Sequence, residues 1–144
     1  MESHLSDISR VIQLAVAPVF LLTAIATLIS AMNTRLGRVV DRRRVLLERL
    51  SSTDAELVSE SADELQSLAR RARLVYFAIF SSVLAALLVC LVVAGAFVGA
   101  LISVDLARAV AGLFVLAMCS MIAALGMFLR EVYVAVSTSV HARH

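Results

Sequence analysis

The stretch NTRLGRVVDRRR, residues 33–44, carries five arginines and one aspartate directly after a long uncharged run. Guanidinium groups at this density could bind nucleic-acid phosphates, attract anionic lipid headgroups, or form basic rings at the mouth of a pore. Residues 35–73, which include most of this stretch, set nine arginines against seven carboxylates and contain no aromatic residue that could stack on a base. We therefore expect no nucleic-acid partner.

Residues that could act in catalysis are scarce. His4, His141 and His144 lie near the termini, and Cys90 and Cys119 lie in apolar runs where a thiol behaves as a small apolar group. No Ser/His pair, Cys/His pair or pair of carboxylates occurs in those runs. We expect no enzymatic activity, no metal site and no cofactor.

Three runs contain no charged side chain: Val11 to Thr34, Leu74 to Val104, and Ala109 to Leu129. Each reaches the roughly 20 residues that a helix needs to cross a bilayer, and the mean hydropathy of the chain is +0.95. These features predict an all-α integral membrane protein with three transmembrane helices and no cleaved signal peptide. Because the runs contain no ionisable residue, proton-driven transport is not expected.

The arginines predict the orientation in the membrane, since positive residues are retained in the cytoplasm. Eleven arginines lie in residues 35–73 and after the third run, and only Arg10 and Arg108 lie on the other side. We expect an outer N-terminus, a tight outer turn at Ser103 to Arg108 and a cytoplasmic C-terminus. The use of arginine without lysine, together with much Ala, Val and Leu, suggests a GC-rich bacterial genome, so we expect the bacterial inner membrane.

The cytoplasmic segment is predicted to form an antiparallel coiled-coil hairpin, because its apolar residues recur in steps of three and four. The turn is expected near Ser51 to Ser52, followed by a capping box at Thr53 and Glu56. The chain is thus predicted to divide into an outer N-terminal segment with the first transmembrane helix (1–34), the cytoplasmic hairpin (35–73), the second transmembrane helix (74–104), and the third transmembrane helix with a cytoplasmic tail (105–144). The predicted seam positions are Leu36, Val40, Leu47 and Leu50 in the first arm and Val58, Ser61, Leu65, Leu68, Ala72 and Val75 in the second.

One face of the first helix carries a polar stripe broken by a valine and a phenylalanine. Such a stripe is typical of a pore-lining helix with a hydrophobic constriction, although Thr and Ser at this spacing also pack helices together. On the hairpin, Asp41 is expected to reach Arg38 and Arg44, and Glu48 to reach Arg44. The candidate pore-lining residues are Gln13, Val16, Phe20, Thr23, Thr27, Ser30 and Thr34.

Small residues in the second and third runs predict close helix packing. Gly95 and Gly99 form a GxxxG pattern, and Ala117, Ser120 and Ala124 recur at similar spacing. Three helices cannot enclose a water path alone, so a pore would require a homo-oligomer, with a ring as the default geometry.

The stretches DISRVIQLAVAPVFLLTAIATLI and NTRLGRVVDRRRVLLERL resemble a bacterial family of small three-helix membrane proteins, domain of unknown function 2721. The resemblance implies an integral membrane protein and supplies no catalytic residue. Its signature, carried over onto this chain, would be Asn33, Arg35, Arg38, Asp41 and Arg42.

Two functions are compatible with these patterns. The first, which the polar stripe favours slightly, is a homo-oligomeric channel whose basic cytoplasmic mouth is formed by Arg35, Arg38 and Arg42 together with Asn33 and Asp41. The alternative is a non-conducting scaffold or assembly factor that meets a cytoplasmic protein at the hairpin tip. Its helix order is similar to that of the Oxa-type insertases, without their charged residue in the bilayer. Either would contact the lipid bilayer and anionic headgroups.

Overall fold

The computed structural model describes the backbone of residues 2–50 and 55–141, and the side chains of residues 9–10, 12–48 and 62–137. In this part of the chain all regular structure is helical: α1 (Glu2–Leu50), α2 (Ala55–Ile102) and α3 (Ala107–His141). Each helix is long and apolar enough to cross a membrane, within Ile12–Glu48, Ala62–Ile102 and Ala107–Ser137. The prediction of an all-α chain with three such helices is confirmed.

The first two helices are much longer than a bilayer requires. With 49 residues in α1 and 48 in α2, each measures roughly 70 Å at ~1.5 Å per residue, more than twice the ~30 Å of hydrocarbon. Both therefore run without a break across the predicted segment boundaries at 34/35 and 73/74. The predicted turn at Ser51 to Ser52 and the Thr53–Glu56 capping box lie outside the described residues.

A tight turn joins α2 to α3 within the predicted range. Ser103 adopts a left-handed backbone conformation with a φ of 55°, the conformation that commonly ends a helix. The Leu106 amide donates to the Val104 carbonyl at 3.0 Å. The Asp105 carboxylate then accepts a hydrogen bond from the Ala107 amide at 3.1 Å, which caps the start of α3.

The helices form two compact units, each with its own core. The first comprises Met1–Ile29 and Ser81–Ile122, and the second comprises Ser30–Phe80 and Ala123–His144. In the first unit, Ala85 of α2 and Ala117 of α3 are fully buried in the core, where their small size permits close backbone approach. The buried residues of this core are Ile25, Ala85, Leu88, Val89 and Ala117.

In the second unit, α1 and α2 pack against each other through Val39, Leu46 and Leu68. Leu65 and Ala72 lie partly buried against this cluster, in agreement with the predicted register of the second arm. We call residues 36–48 of α1 and 62–73 of α2 the helical stalk. Of the predicted seam residues, Leu50, Val58 and Ser61 lie outside the described side chains.

The predicted register of the first arm is wrong by one residue. Val40 and Leu47 are 45% and 49% exposed, while Val39 and Leu46 are buried. The apolar residues come in adjacent pairs with a seven-residue spacing, so local periodicity fits either register. The observed register also turns Arg42 toward α2, where it meets a carboxylate.

Candidate functional site

The most unusual group in the described structure is the carboxylate of Glu131, which is only 2% exposed. Its Oε2 accepts a hydrogen bond from Nη1 of Arg35 at 3.2 Å, and its Oε1 accepts one from Nη2 of Arg71 at 3.4 Å. One side chain comes from each helix of the second unit. The triad therefore links α1, α2 and α3 at one level.

The three charged residues of the triad occupy positions that the helix pattern directs inward. Arg35 lies between the buried Met32 and Val39, and Arg71 lies between Leu68 and Val75. Glu131 follows the buried Ala124 by seven residues. Because residues three, four and seven apart share a helix face, each charge points toward the neighbouring helices.

Charge pairing is what makes this burial possible. A buried carboxylate loses several kcal/mol of hydration, and paired charges and hydrogen bonds must offset that loss. Arg35 gains a further contact because its guanidinium lies 5.3 Å from the ring centroid of Phe128, within cation–π range. Arg71 Nε is buried with no hydrogen-bond partner among the described residues. Two guanidinium groups around one carboxylate leave a net charge of +1.

A second ion pair fixes the helical stalk. Nε and Nη2 of Arg42 both donate to Oε1 of Glu64, at 3.0 and 2.9 Å. This pair is about half exposed, so it contributes about 1 kcal/mol or less. The predicted Arg44–Glu48 pair is present at 3.7 Å and is exposed. Among the described side chains, Asp41 has no ion pair with either Arg38 or Arg44.

The residues assigned to a basic mouth differ in their partners. Arg35 is paired with Glu131 and Arg42 with Glu64. Asn33, Arg38 and Asp41 are exposed. Within the part of the chain that the structure describes, Arg38 is thus the one arginine of the three with no carboxylate within 4 Å.

The seven candidate pore-lining residues all lie on exposed surface of α1. Thr23 donates its hydroxyl to the Val19 carbonyl at 3.2 Å, and Thr27 donates to the Thr23 carbonyl at 3.0 Å. Thr34 donates to the Ser30 carbonyl in the same way at 3.0 Å. These three threonine hydroxyls donate within their own helix, so they require neither water nor a partner protein as an acceptor.

The candidate packing residues lie at helix contacts. A Cβ on Gly95 would stand 3.2 Å from Cγ2 of Val110, and one on Gly99 would stand 3.3 Å from the Val104 carbonyl oxygen. Ala117 and Ala124 are fully buried.

Ser120 joins α3 to α2 through reciprocal hydrogen bonds. Its hydroxyl donates to the Ser81 carbonyl at 2.8 Å, and the Ser81 hydroxyl donates to the Ser120 carbonyl at 2.9 Å. Each hydroxyl thereby satisfies a backbone group of the facing helix, which is one way that helices associate in a membrane.

Sequence reasoning missed Glu131 as a site residue, although a signal was present. It is the one acidic residue after Asp105, and it extends the seven-residue spacing of Ala117 and Ala124 in α3. An acidic residue on a face of small residues indicates a buried charge with a basic partner. The described residues hold no cluster of His, Cys, Asp and Glu that could bind a metal ion.

Three long apolar helices tied together by buried charge and small residues define a multi-pass α-helical membrane protein. Residues 15–140 match the family described as protein of unknown function (DUF2721), and the chain belongs to that family. Comparisons with curated proteins and with solved structures found no match.

Proposed function

We propose that this protein is a non-conducting membrane scaffold of the bacterial inner membrane that acts through its helical stalk. One observation carries this proposal: charges on the helix faces that meet are paired inside the chain, in the buried Arg35–Glu131–Arg71 triad and the half-exposed Arg42–Glu64 pair. Ion pairs at such positions specify helix register and favour a fixed stalk. They also give a carboxylate partner to two of the three arginines that were predicted to form a basic pore mouth.

The stalk would be an antiparallel coiled coil on the cytoplasmic side, as the arginine distribution favours. Its outer surface retains apolar residues that its own core does not use, with Val40, Val45 and Leu47 between 44% and 49% exposed. Val40 and Leu47 are seven residues apart and share a face of α1. This face offers a binding surface for a helix of a partner protein.

Site-specific photo-crosslinking in intact cells tests the scaffold. A crosslinking amino acid at Val40 or Leu47 should give an adduct with a second protein, because these side chains point away from α2. The same amino acid at the exposed Gln66 of α2 is the matched control and should give much less. Adducts with other copies of the chain alone, or equal yields at all three positions, would contradict a partner on this face.

A homo-oligomeric channel is the second candidate, and the exposure of the whole polar stripe on α1 favours it. A pore would require several copies to bring these stripes together. Ion flux should then exceed that of protein-free liposomes and fall when Thr23 and Thr27 become leucine. Replacing Ala24, an exposed neighbour of Thr23, by leucine is the control. Flux equal to the protein-free level would leave the scaffold as the better account.

A further inference from the structure

We infer that the face of α2 from Arg70 to Phe80 binds an anionic phospholipid, with its phosphate at the arginines and an acyl chain along the aromatic rings. The inference holds for a scaffold and for a channel alike. We call this face, made of Arg70, Arg73, Tyr76, Phe77 and Phe80, the basic–aromatic face.

The position along the helix is the first support. The charged residues of α2 end at Arg73, and the uncharged run begins at Leu74. This change places Arg70 and Arg73 at the depth of lipid headgroups and the following residues at the start of the hydrocarbon. Aromatic side chains are enriched at this depth because their rings suit the boundary between polar and apolar surroundings.

Side-chain geometry is the second support. Arg70, Arg73, Phe77 and Phe80 follow steps of three and four, so they share one side of the helix, and all are exposed. The Arg73 guanidinium lies 5.8 Å from the ring centroid of Phe77, which holds the charge above the ring. Tyr76, Phe77 and Phe80 line an open hollow of about 360 Å³.

Uncompensated charge is the third support. Arg71 points inward to Glu131, and the conspicuous arginines Arg35 and Arg42 of α1 are also paired with carboxylates. By contrast, neither Arg70 nor Arg73 has a carboxylate within 4 Å among the side chains that the structure describes. Their N–H groups are therefore available to an anion, and guanidinium groups suit the geometry of phosphate oxygens.

The order of chemistry along the face selects a lipid headgroup as the source of the phosphate. From Arg70 to Phe80 the surface changes from charge to a tyrosine and then to apolar rings. An anionic phospholipid shows the same order from phosphate through glycerol to acyl chain. A free phosphate would use the arginines and leave the hollow empty. A zwitterionic lipid would bring a cation beside the arginines, so it should bind more weakly.

Native mass spectrometry of the full chain in neutral detergent tests the inference, with phosphatidylglycerol and phosphatidylcholine titrated separately. At about 1 kcal/mol per arginine near a surface, Arg73→Gln should weaken phosphatidylglycerol binding about fivefold, and Arg70→Gln with Arg73→Gln about 25-fold. Lysine at both positions keeps the charge but loses the guanidinium geometry, so it should bind more weakly than the unaltered chain and more tightly than the double glutamine variant. Arg108→Gln removes the same charge in the first turn of α3 and should leave binding unchanged.

Two further measurements separate the lipid from a free anion. Replacing Tyr76, Phe77 and Phe80 by alanine should weaken phosphatidylglycerol binding and leave any binding of inorganic phosphate unchanged. Inorganic phosphate that displaced the lipid at equal concentration would overturn the assignment to a headgroup. A double glutamine variant that bound phosphatidylglycerol as well as Arg108→Gln would overturn the site. Because these side chains are exposed, the variants should retain the fold.

Discussion

Replacement of Glu131 by glutamine is the sharpest test of the buried triad. Glutamine has nearly the same shape but carries no charge, so Arg35 and Arg71 would face each other without a counterion. Breaking a buried ion pair by removing one partner costs about 3–5 kcal/mol. Arg35 is 39% exposed and can turn toward water, whereas Arg71 is 21% exposed. We therefore expect a loss of about 2–4 kcal/mol in the free energy of unfolding.

The assay is unfolding by a denaturing detergent in mixed micelles, followed by far-ultraviolet circular dichroism. Glu64→Gln is the matched control, because Glu64 is 40% exposed in its pair with Arg42 and should cost about 1 kcal/mol or less. Leucine at 131 combined with methionine at 35 and 71 should recover much of the stability, since apolar residues can replace a buried ionic group. Equal losses for Glu131→Gln and Glu64→Gln would refute a triad that holds the helices together.

Five other substitutions test the packing. Val39→Asn should destabilise the stalk by about 2 kcal/mol or more, and Val40→Asn by about 0.5 kcal/mol or less, because only Val39 is buried. The reverse order in detergent unfolding would favour the register predicted from the sequence, with Val40 in the seam. Ser120→Ala removes a reciprocal bond and should cost about 1 kcal/mol in the same assay, and no loss would show that the bond adds nothing. Gly37→Ala should raise the stability by up to about 1 kcal/mol, since the added Cβ would meet no atom within 4 Å. Gly99→Ala should lower the stability, because its Cβ would press on the Val104 carbonyl oxygen. A gain in stability at Gly99 would contradict this close approach.

The three membrane helices are readable from the sequence because a helix in water seldom excludes charged residues over some 20 positions. The tight turn at Ser103 is readable for a related reason, since few residues separate two apolar runs. The register of the stalk is not readable in this way. Val39 and Val40, like Leu46 and Leu47, are chemically equivalent neighbours, and the choice between them depends on what faces them from α2.

The triad could not be predicted from the local sequence pattern, for a physical reason. Arg35 and Glu131 are 96 positions apart, and each stands just past an uncharged run, where a charged residue is expected to contact headgroups and water. Their pairing follows only once the three helices are placed side by side. The assignment of Arg35 and Arg42 to a pore mouth rests on position along one helix, which does not say which face a side chain takes.

Six arginines near the ends of the first two uncharged runs form two groups that differ in what their side chains meet. Arg35, Arg42 and Arg71 point toward neighbouring helices and meet Glu131 or Glu64, so their charge fixes one helix against another. Arg38, Arg70 and Arg73 are exposed, so their charge is available to the surroundings. Orientation by positive residues depends on the number of arginines on each side of a membrane. Both groups contribute to that number, but the charge of the second group is not paired with a carboxylate among the described side chains. Glutamine at Arg38, Arg70 and Arg73 should therefore weaken lipid binding with little loss of stability. Glutamine at Arg71 should instead lower the stability with little change in lipid binding.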